Sequence, residues 1–410
     1  MTNRSDRKVL YAALCVAVSS AFLVGGYEFA RNSATTLFMQ TLGTENMPYA
    51  LAVVPVVMFG MIYLFGKVLS RTGPLRAMLL SMAVTAAVMT GAYFGVRNGS
   101  PTAAALYYIF AQAYIVVLVE QFWSFINSTL DSTQAKLYNG IVAGIGALGP
   151  IAAAYFIHSY VTRIGTEQLL LWSAATLLPS ALMIILAYRY AGEPEPTEEE
   201  SGGKAGTLHL SLILETKPLL ILMGIIFLTQ VLSTVLELKF NHILEMTIIE
   251  KNARSAFLGG FWMKVNMLSF VLQFVATPIL LRKLSARAVM VAIPVIHLTL
   301  AAGLLVSPTL AVASAAFIVF KGLDYSLFRA GKELFYIPLS FDARYRAKQI
   351  VDAFTYRFSK GITATALSIW KTIAGSVPPV AYPVIALAAA GLWIRLAVPL
   401  TEKYDGNAKK

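Results

Sequence analysis

The stretch GEPEPTEEESGGKAGT occupies residues 192–207. It is acidic, carries Pro and Gly, and has no apolar periodicity, so it reads as a flexible linker. Everything around it differs. Of the 410 residues, 57% are hydrophobic and 13% charged, where a soluble protein carries about 25% charged residues. The apolar residues also come in long blocks. VLYAALCVAVSSAFLVGG (9–26), TAAALYYIFAQAYIVVLV (102–119) and PLLILMGIIFLTQVLSTVL (218–236) each approach the roughly 20 residues that cross a bilayer.

Hydropathy predicts about twelve such spans, near 9–34, 47–69, 75–96, 102–128, 137–161, 167–190, 217–240, 255–281, 287–306, 309–336, 347–371 and 378–400. The basic start MTNRSDRK (1–8) imitates a signal peptide. The apolar block nevertheless runs on into Glu28 and Arg31 without a clear cleavage site, so it is read as a span. The fold class expected is an all-α polytopic membrane protein.

The net charge of +12 does not point to nucleic acid, because on such a chain Lys and Arg mark cytoplasmic loops. Arg4, Arg7 and Lys8 precede span one. Lys67, Arg71 and Arg76 lie between spans two and three, Arg282, Lys283 and Arg287 between eight and nine, and Arg344, Arg346 and Lys348 between ten and eleven. Lys251 and Arg254 are the main exception. Both termini are therefore expected in the cytoplasm. Cys15 is the one cysteine, so no internal disulfide forms.

The linker divides six spans from six: a half at 1–191, a cytoplasmic linker at 192–216, a half at 217–402 and a tail at 403–410. The halves echo each other. LSRTGPLRAM (69–78) follows the second span and LLRKLSARAVM (280–290) the eighth, pairing Arg71/Arg76 with Arg282/Arg287. Two six-helix halves joined by a long loop is the plan of major-facilitator-like transporters. GKVLSRTGPLR (66–76) resembles that superfamily's loop motif G-x-x-x-D-R-x-G-x-x-R through Gly66, Arg71, Gly73 and Arg76, with Ser70 in place of Asp. Those four residues form either a gating latch or an ordinary basic loop.

Charges inside the spans carry the functional reading. KGLDYSLFRAGKELFYIPL (321–339) places Lys321, Asp324, Arg329, Lys332 and Glu333 in span ten. A charge at mid-membrane costs about 2.5–3.5 kcal/mol, so this side cannot face lipid. It lines water, pairs with protein, or marks the cytoplasmic exit. Arg329 and Glu333 are four apart and within pairing distance. Elsewhere stand Glu28 and Arg31, Gln112 and Glu120, Glu237 and Lys239, Lys264, and Asp352, Tyr356 and Lys360 at helical spacing. Arg31, Lys264, Lys332 and Lys360 suit an anionic solute; the carboxylates are ion-pair partners or proton carriers, or the pairs are structural. GIGALG (144–149) has the G-x-G-x-x-G form but follows no strand. Gly140, Gly144 and Gly149 are read instead as close-packing positions of helix five. The four histidines lack metal-ligand spacing, and no nucleophile–base pattern supports an enzyme. No cofactor is expected.

The residues 324–339 resemble the segment K-Y-S-L-F-D-P-x-K-E-M-x-Y-I-P-L of the ATP/ADP translocases of plastids and intracellular bacteria. Tyr325, Ser326, Leu327, Phe328, Lys332, Glu333, Tyr336, Ile337, Pro338 and Leu339 match. RAKQIVDAFTYRFSKG (346–361) is similar to a following motif through Lys348, Asp352 and Gly361. Phe122, Trp123, Phe125, Asn127, Ala135, Lys136 and Tyr138 match a motif of the first half, and Glu237 one of the seventh span. The resemblance implies a twelve-helix carrier working by alternating access, with nucleotide held by basic residues and one Glu. This chain departs from that pattern at Leu51, Asn241 and Gln112, which replace two Lys and a Glu, and at Asp324 and Arg329, where the family's charge signs are reversed.

The expectation is a secondary transporter of an anionic organic metabolite in a bacterial inner membrane, most specifically an ATP/ADP-type exchanger acting as a monomer. Alternatives are proton-coupled transport of a siderophore, peptide or drug, and a lipid flippase or membrane enzyme. Substrate ligands are expected at Arg31, Gln112, Glu120, Glu237, Lys264 and Lys332, with coupling or ion pairing at Asp324, Arg329, Glu333 and Asp352.

Overall fold

The computed structural model describes residues 2–129, 132–192, 217–336, 351 and 355–407. Gly192 apart, the linker lies outside them, as do Arg344, Arg346, Lys348 and Asp352; the side chains of Asn127, Ala135 and Lys136 are not described either. The described residues form helices joined by short turns and contain no strand. In the first half run α1 (Thr2–Leu42), α2 (Met47–Thr72), α3 (Pro74–Arg97), α4 (Pro101–Thr129), α5 (Ser132–Ile164) and α6 (Gln168–Ala191). After the linker come α7 (Lys217–Thr247), α8 (Lys251–Val271), α9 (Thr277–Lys283), α10 (Ala286–Val306), α11 (Leu310–Leu323), α12 (Arg329–Glu333), α13 (Tyr356–Ala374) and α14 (Ala381–Asn407). Short π-helical segments interrupt this half, among them Leu272–Ala276, which joins α8 to α9, and Asp324–Phe328, which joins α11 to α12.

Eleven helices among the described residues are long and apolar enough to cross a membrane, one fewer than hydropathy predicts. The missing one is α13, where Arg357, Lys360 and Lys371 fall within 19 residues. It is an inside-out helix. Ser359, Thr363 and Ser368 are buried, while Ile362, Ile369 and Ile373 face outward. In water that pattern would be unfavourable; against lipid it is the stable one.

Two compact units emerge. The first comprises Met1–Gly43, Val53–Gly203 and Ile248–Asn266, the second Thr44–Ala52, Lys204–Thr247 and Met267–Lys410. Each thus includes a piece from the far side of the linker.

In the first unit α1 packs on α4, α5 and α6. Helices in lipid gain little from apolar burial against one another, so small residues and interhelical hydrogen bonds govern their association. At Gly149 a Cβ would overlap the Ala21 carbonyl, and at Gly146 it would lie 2.6 Å from Ser20 Oγ. Those glycines let α1 and α5 touch backbone to backbone; Gly140 faces open space and serves no such role. Ser19 and Ser180 exchange hydrogen bonds between α1 and α6, and Ser173 Oγ donates to the Gly26 carbonyl at 2.7 Å.

In the second unit α7 packs on α11, α13 and α14, and α10 on α11 and α14. Trp393 is buried among His297 and Phe328. The π-helical segments Leu272–Ala276 and Asp324–Phe328 pack on each other. At the preceding Gly322 a Cβ would lie 2.6 Å from Leu268 Cδ2, so the Leu268 side chain of α8 packs onto the α11 backbone just before the helical register slips.

Candidate functional site

The first unit contains a sealed ion pair. Glu28 and Arg31 lie three residues apart on α1, with side-chain exposures of 3% and 10%. Arg31 Nη2 donates to both carboxylate oxygens. Asn266 Nδ2 donates to Glu28 Oε1 at 3.0 Å, and the guanidinium carbon sits 3.2 Å from the centre of the Trp262 ring. Weakly hydrated and planar, a guanidinium suits such a stack. One turn on, Asn32 Nδ2 donates to the Ser255 carbonyl at 2.9 Å. The pair is thus enclosed by α1 and by the part of α8 belonging to this unit.

The second unit contains a ring of six side chains on three helices. Ser233 and Glu237 share one face of α7, being four apart. Lys321 and Asp324 are three apart at the α11 end, and Tyr356 and Lys360 four apart on α13. One bond joins each pair of helices. Lys321 Nζ donates to Ser233 Oγ at 3.0 Å, Tyr356 Oη to Asp324 Oδ2 at 3.2 Å, and Lys360 Nζ to Glu237 Oε2 at 2.9 Å. Lys321 is buried and lies within 5.4–5.6 Å of the rings of Phe317, Phe320 and Tyr325. The ring holds two cations, two carboxylates and two hydroxyls, and its formal charge is zero.

The other sequence-predicted residues are distributed more widely. Gln112 is partly buried; Glu120 and Lys264 are exposed. Lys332 and Glu333 are partly buried, and Arg329 is exposed. The four-residue spacing predicted an Arg329–Glu333 pair, but none occurs among the ion pairs of the described residues. Arg329 follows the π-helical segment and turns outward instead. Gly66, Arg71 and Arg76 are exposed. Gly73 has φ 78° and caps α3 ahead of Pro74, a left-handed position that favours glycine at that turn. Leu51 and Asn241, where the translocase pattern has Lys, are buried, and Asn241 lies against Met47. Sequence reasoning missed Ser233, Asn266 and Trp262. Only Ser233, one turn before Glu237, carried a signal. No group of three or more metal-ligating side chains occurs among the described residues.

No curated protein matches the chain. Among solved structures it is similar to a bacterial homologue of the iron transporter ferroportin, with a TM-score of 0.68, 14% identity, and coverage of 96% of this chain and 98% of that one. A nucleoside transporter, NupG, follows at TM-score 0.64 and 14% identity, covering 95% and 98%. A D-xylose–proton symporter gives 0.63 and 12%, covering 93% and 96%. At these identities the likeness establishes the fold, which is major-facilitator-like. The model of the TLC ATP/ADP transporter family matches residues 265–404, the span that holds four of the six ring residues. The protein is a multi-pass membrane protein of transporter fold whose C-terminal third is similar to the TLC ATP/ADP transporters.

Proposed function

We propose that the protein is a secondary transporter that moves an anionic organic metabolite by alternating access, and that the metabolite is a nucleotide exchanged in the ATP/ADP manner. The observation carrying this reading is the family match over 265–404, which falls on the part of the chain where Lys321, Lys332 and Lys360 enter the membrane-spanning region. A nucleoside triphosphate carries several negative charges and needs several cations to leave water. Two family lysines are replaced here by Leu51 and Asn241, and Lys321 and Lys360 supply positive charge in their stead. Gln112, Glu120, Glu237, Lys264 and Lys332 remain the proposed substrate contacts, whereas Arg31, expected among them from sequence, is assigned to the scaffold because Glu28 and Trp262 close it in. Asp324, Arg329, Glu333 and Asp352 are assigned to ion pairing or coupling, and the Gly66–Arg71–Gly73–Arg76 loop to gating. The carrier is placed in a bacterial inner membrane as a monomer, with both termini cytoplasmic.

One observation favours a second reading, proton-coupled transport of another solute. Asp324 is a buried carboxylate whose hydrogen bond comes from a tyrosine hydroxyl. Liposomes loaded with unlabelled ATP and ADP separate the two. Exchange predicts uptake of labelled ATP that needs internal nucleotide and is lost in Lys332→Ala. No uptake by folded wild-type protein would rule out the nucleotide, and solute uptake driven only by a pH gradient would establish the second reading.

A further inference from the structure

We infer that Lys360 is a ligand of the transported anion and that Glu237 is its resident counter-ion, occupying Lys360 until the substrate's negative group displaces it. This rests on the anion-transporter reading above.

Three observations carry it. First, the pair is reachable from inside the protein. Lys360 keeps 26% of its side-chain exposure and Glu237 14%, against 10% and 3% for Arg31 and Glu28. That opening does not face lipid. At 3.6 residues per turn, Lys360 lies on the side of α13 shared with Thr363 and Leu367, which are buried, and roughly opposite the outward stripe of Ile362, Ile369 and Ile373. Second, an ammonium has three donors, and among the described residues Glu237 takes one from Lys360. A phosphate or carboxylate oxygen can approach the others without breaking anything else. Third, the rest of the ring fixes where Lys360 stands. Tyr356, one turn before it, is held by Asp324, and Ser233, one turn before Glu237, is held by Lys321.

The chemistry follows from charge. A cation left unpaired in this setting is strongly disfavoured, so the empty carrier needs a counter-ion of its own. An arriving anion replaces Glu237 on Lys360, and the released carboxylate turns to the partly open interior. When the anion leaves, Glu237 returns. The pair therefore weakens apparent affinity while it speeds release, which is what an exchanger requires of its site.

The test uses full-length purified protein and its thermal stabilisation by ATP, inorganic pyrophosphate, citrate and uncharged adenosine, together with labelled-ATP exchange in liposomes. Lys360→Gln should raise the half-saturating anion concentration about tenfold, as expected for loss of a charged hydrogen bond, and leave adenosine unaffected. Lys360→Arg should restore most of the affinity. Glu237→Gln should do the reverse of Lys360→Gln: half-saturation falls several-fold and the maximal exchange rate falls with it. If Glu237→Gln and Lys360→Gln weaken binding equally, the pair is a structural strut and the inference is overturned. An unchanged half-saturation in Lys360→Gln also overturns it. A wild-type protein that binds none of these anions removes both this inference and the anion-transporter reading. One that binds pyrophosphate or citrate but not ATP, with the Lys360 and Glu237 effects intact, removes the nucleotide alone.

Discussion

Two ion pairs inside the membrane-spanning helices invite comparison. Glu28–Arg31 is local, three residues apart on one helix, and closed over by Trp262 and Asn266. Glu237–Lys360 joins two helices 123 residues apart in sequence and stays partly open. Both remove two charges from contact with lipid, yet they differ in what can reach them. A sealed pair can only hold structure, because removing either partner strands the other without water. An open pair can trade a partner for a solute. Reach, rather than charge type, separates scaffold from site.

The comparison breaks most visibly at Glu28. Glu28→Ala leaves the Arg31 guanidinium buried without its carboxylate, a loss of about 3–5 kcal/mol for pairs of this kind. The expected outcome is poor yield of monodisperse protein, while Glu28→Met with Arg31→Met recovers much of it. Thermal unfolding of the detergent-solubilised variants measures both. Next in size is Gly149→Ala. Its Cβ would overlap the Ala21 carbonyl, and overpacking of this kind destabilises by about 1–3 kcal/mol; Gly140→Ala, facing open space, should be neutral.

How much of this was legible beforehand follows from what each feature depends on. Span positions and the division at 192–216 come from local composition, so hydropathy found them. Glu28 and Arg31 at three-residue spacing, and Tyr356 and Lys360 at four, were visible as helical neighbours. The bonds that close the ring were not, because Ser233–Lys321 and Glu237–Lys360 join helices far apart in the chain, and no single-sequence periodicity encodes which helices meet. The π-helical segment at Asp324–Phe328 was also invisible. It begins just after Gly322, where the Leu268 side chain of α8 packs onto α11, and it sends Arg329 outward, undoing the pairing with Glu333 that regular α-helical spacing implied. Hydropathy did predict a span over α13, at 347–371, but not that its polar face is the buried one.

Smaller effects sharpen the contrast within the ring. Tyr356→Phe removes the hydroxyl from Asp324 and should lower stability by about 1 kcal/mol, with a modest rise in half-saturation for the anion, since Lys360 is held one turn away. The smallest effect lies outside the membrane, at Glu250. Its carboxylate accepts the backbone N–H groups of Asn252 and Ala253 at the start of α8, which holds it below the usual carboxylate range. A depressed folded-state value contributes stability above the unfolded carboxylate range, and that stability is lost as pH falls through the folded value. Glu250 is exposed, so the effect is small. Glu250→Gln should slightly flatten the acid limb of stability against pH and leave neutral pH nearly unchanged.

Thiol accessibility tests the central contrast most directly. In a Cys15→Ala background, Lys360→Cys and the double variant Arg31→Cys with Glu28→Gln are exposed to a small water-soluble methanethiosulfonate, with and without ATP. Position 360 should be modified rapidly and ATP should slow that modification, whereas position 31 should be modified little under either condition. Equal reactivity at the two positions, or no protection of position 360 by any anion that the protein binds, would contradict that contrast.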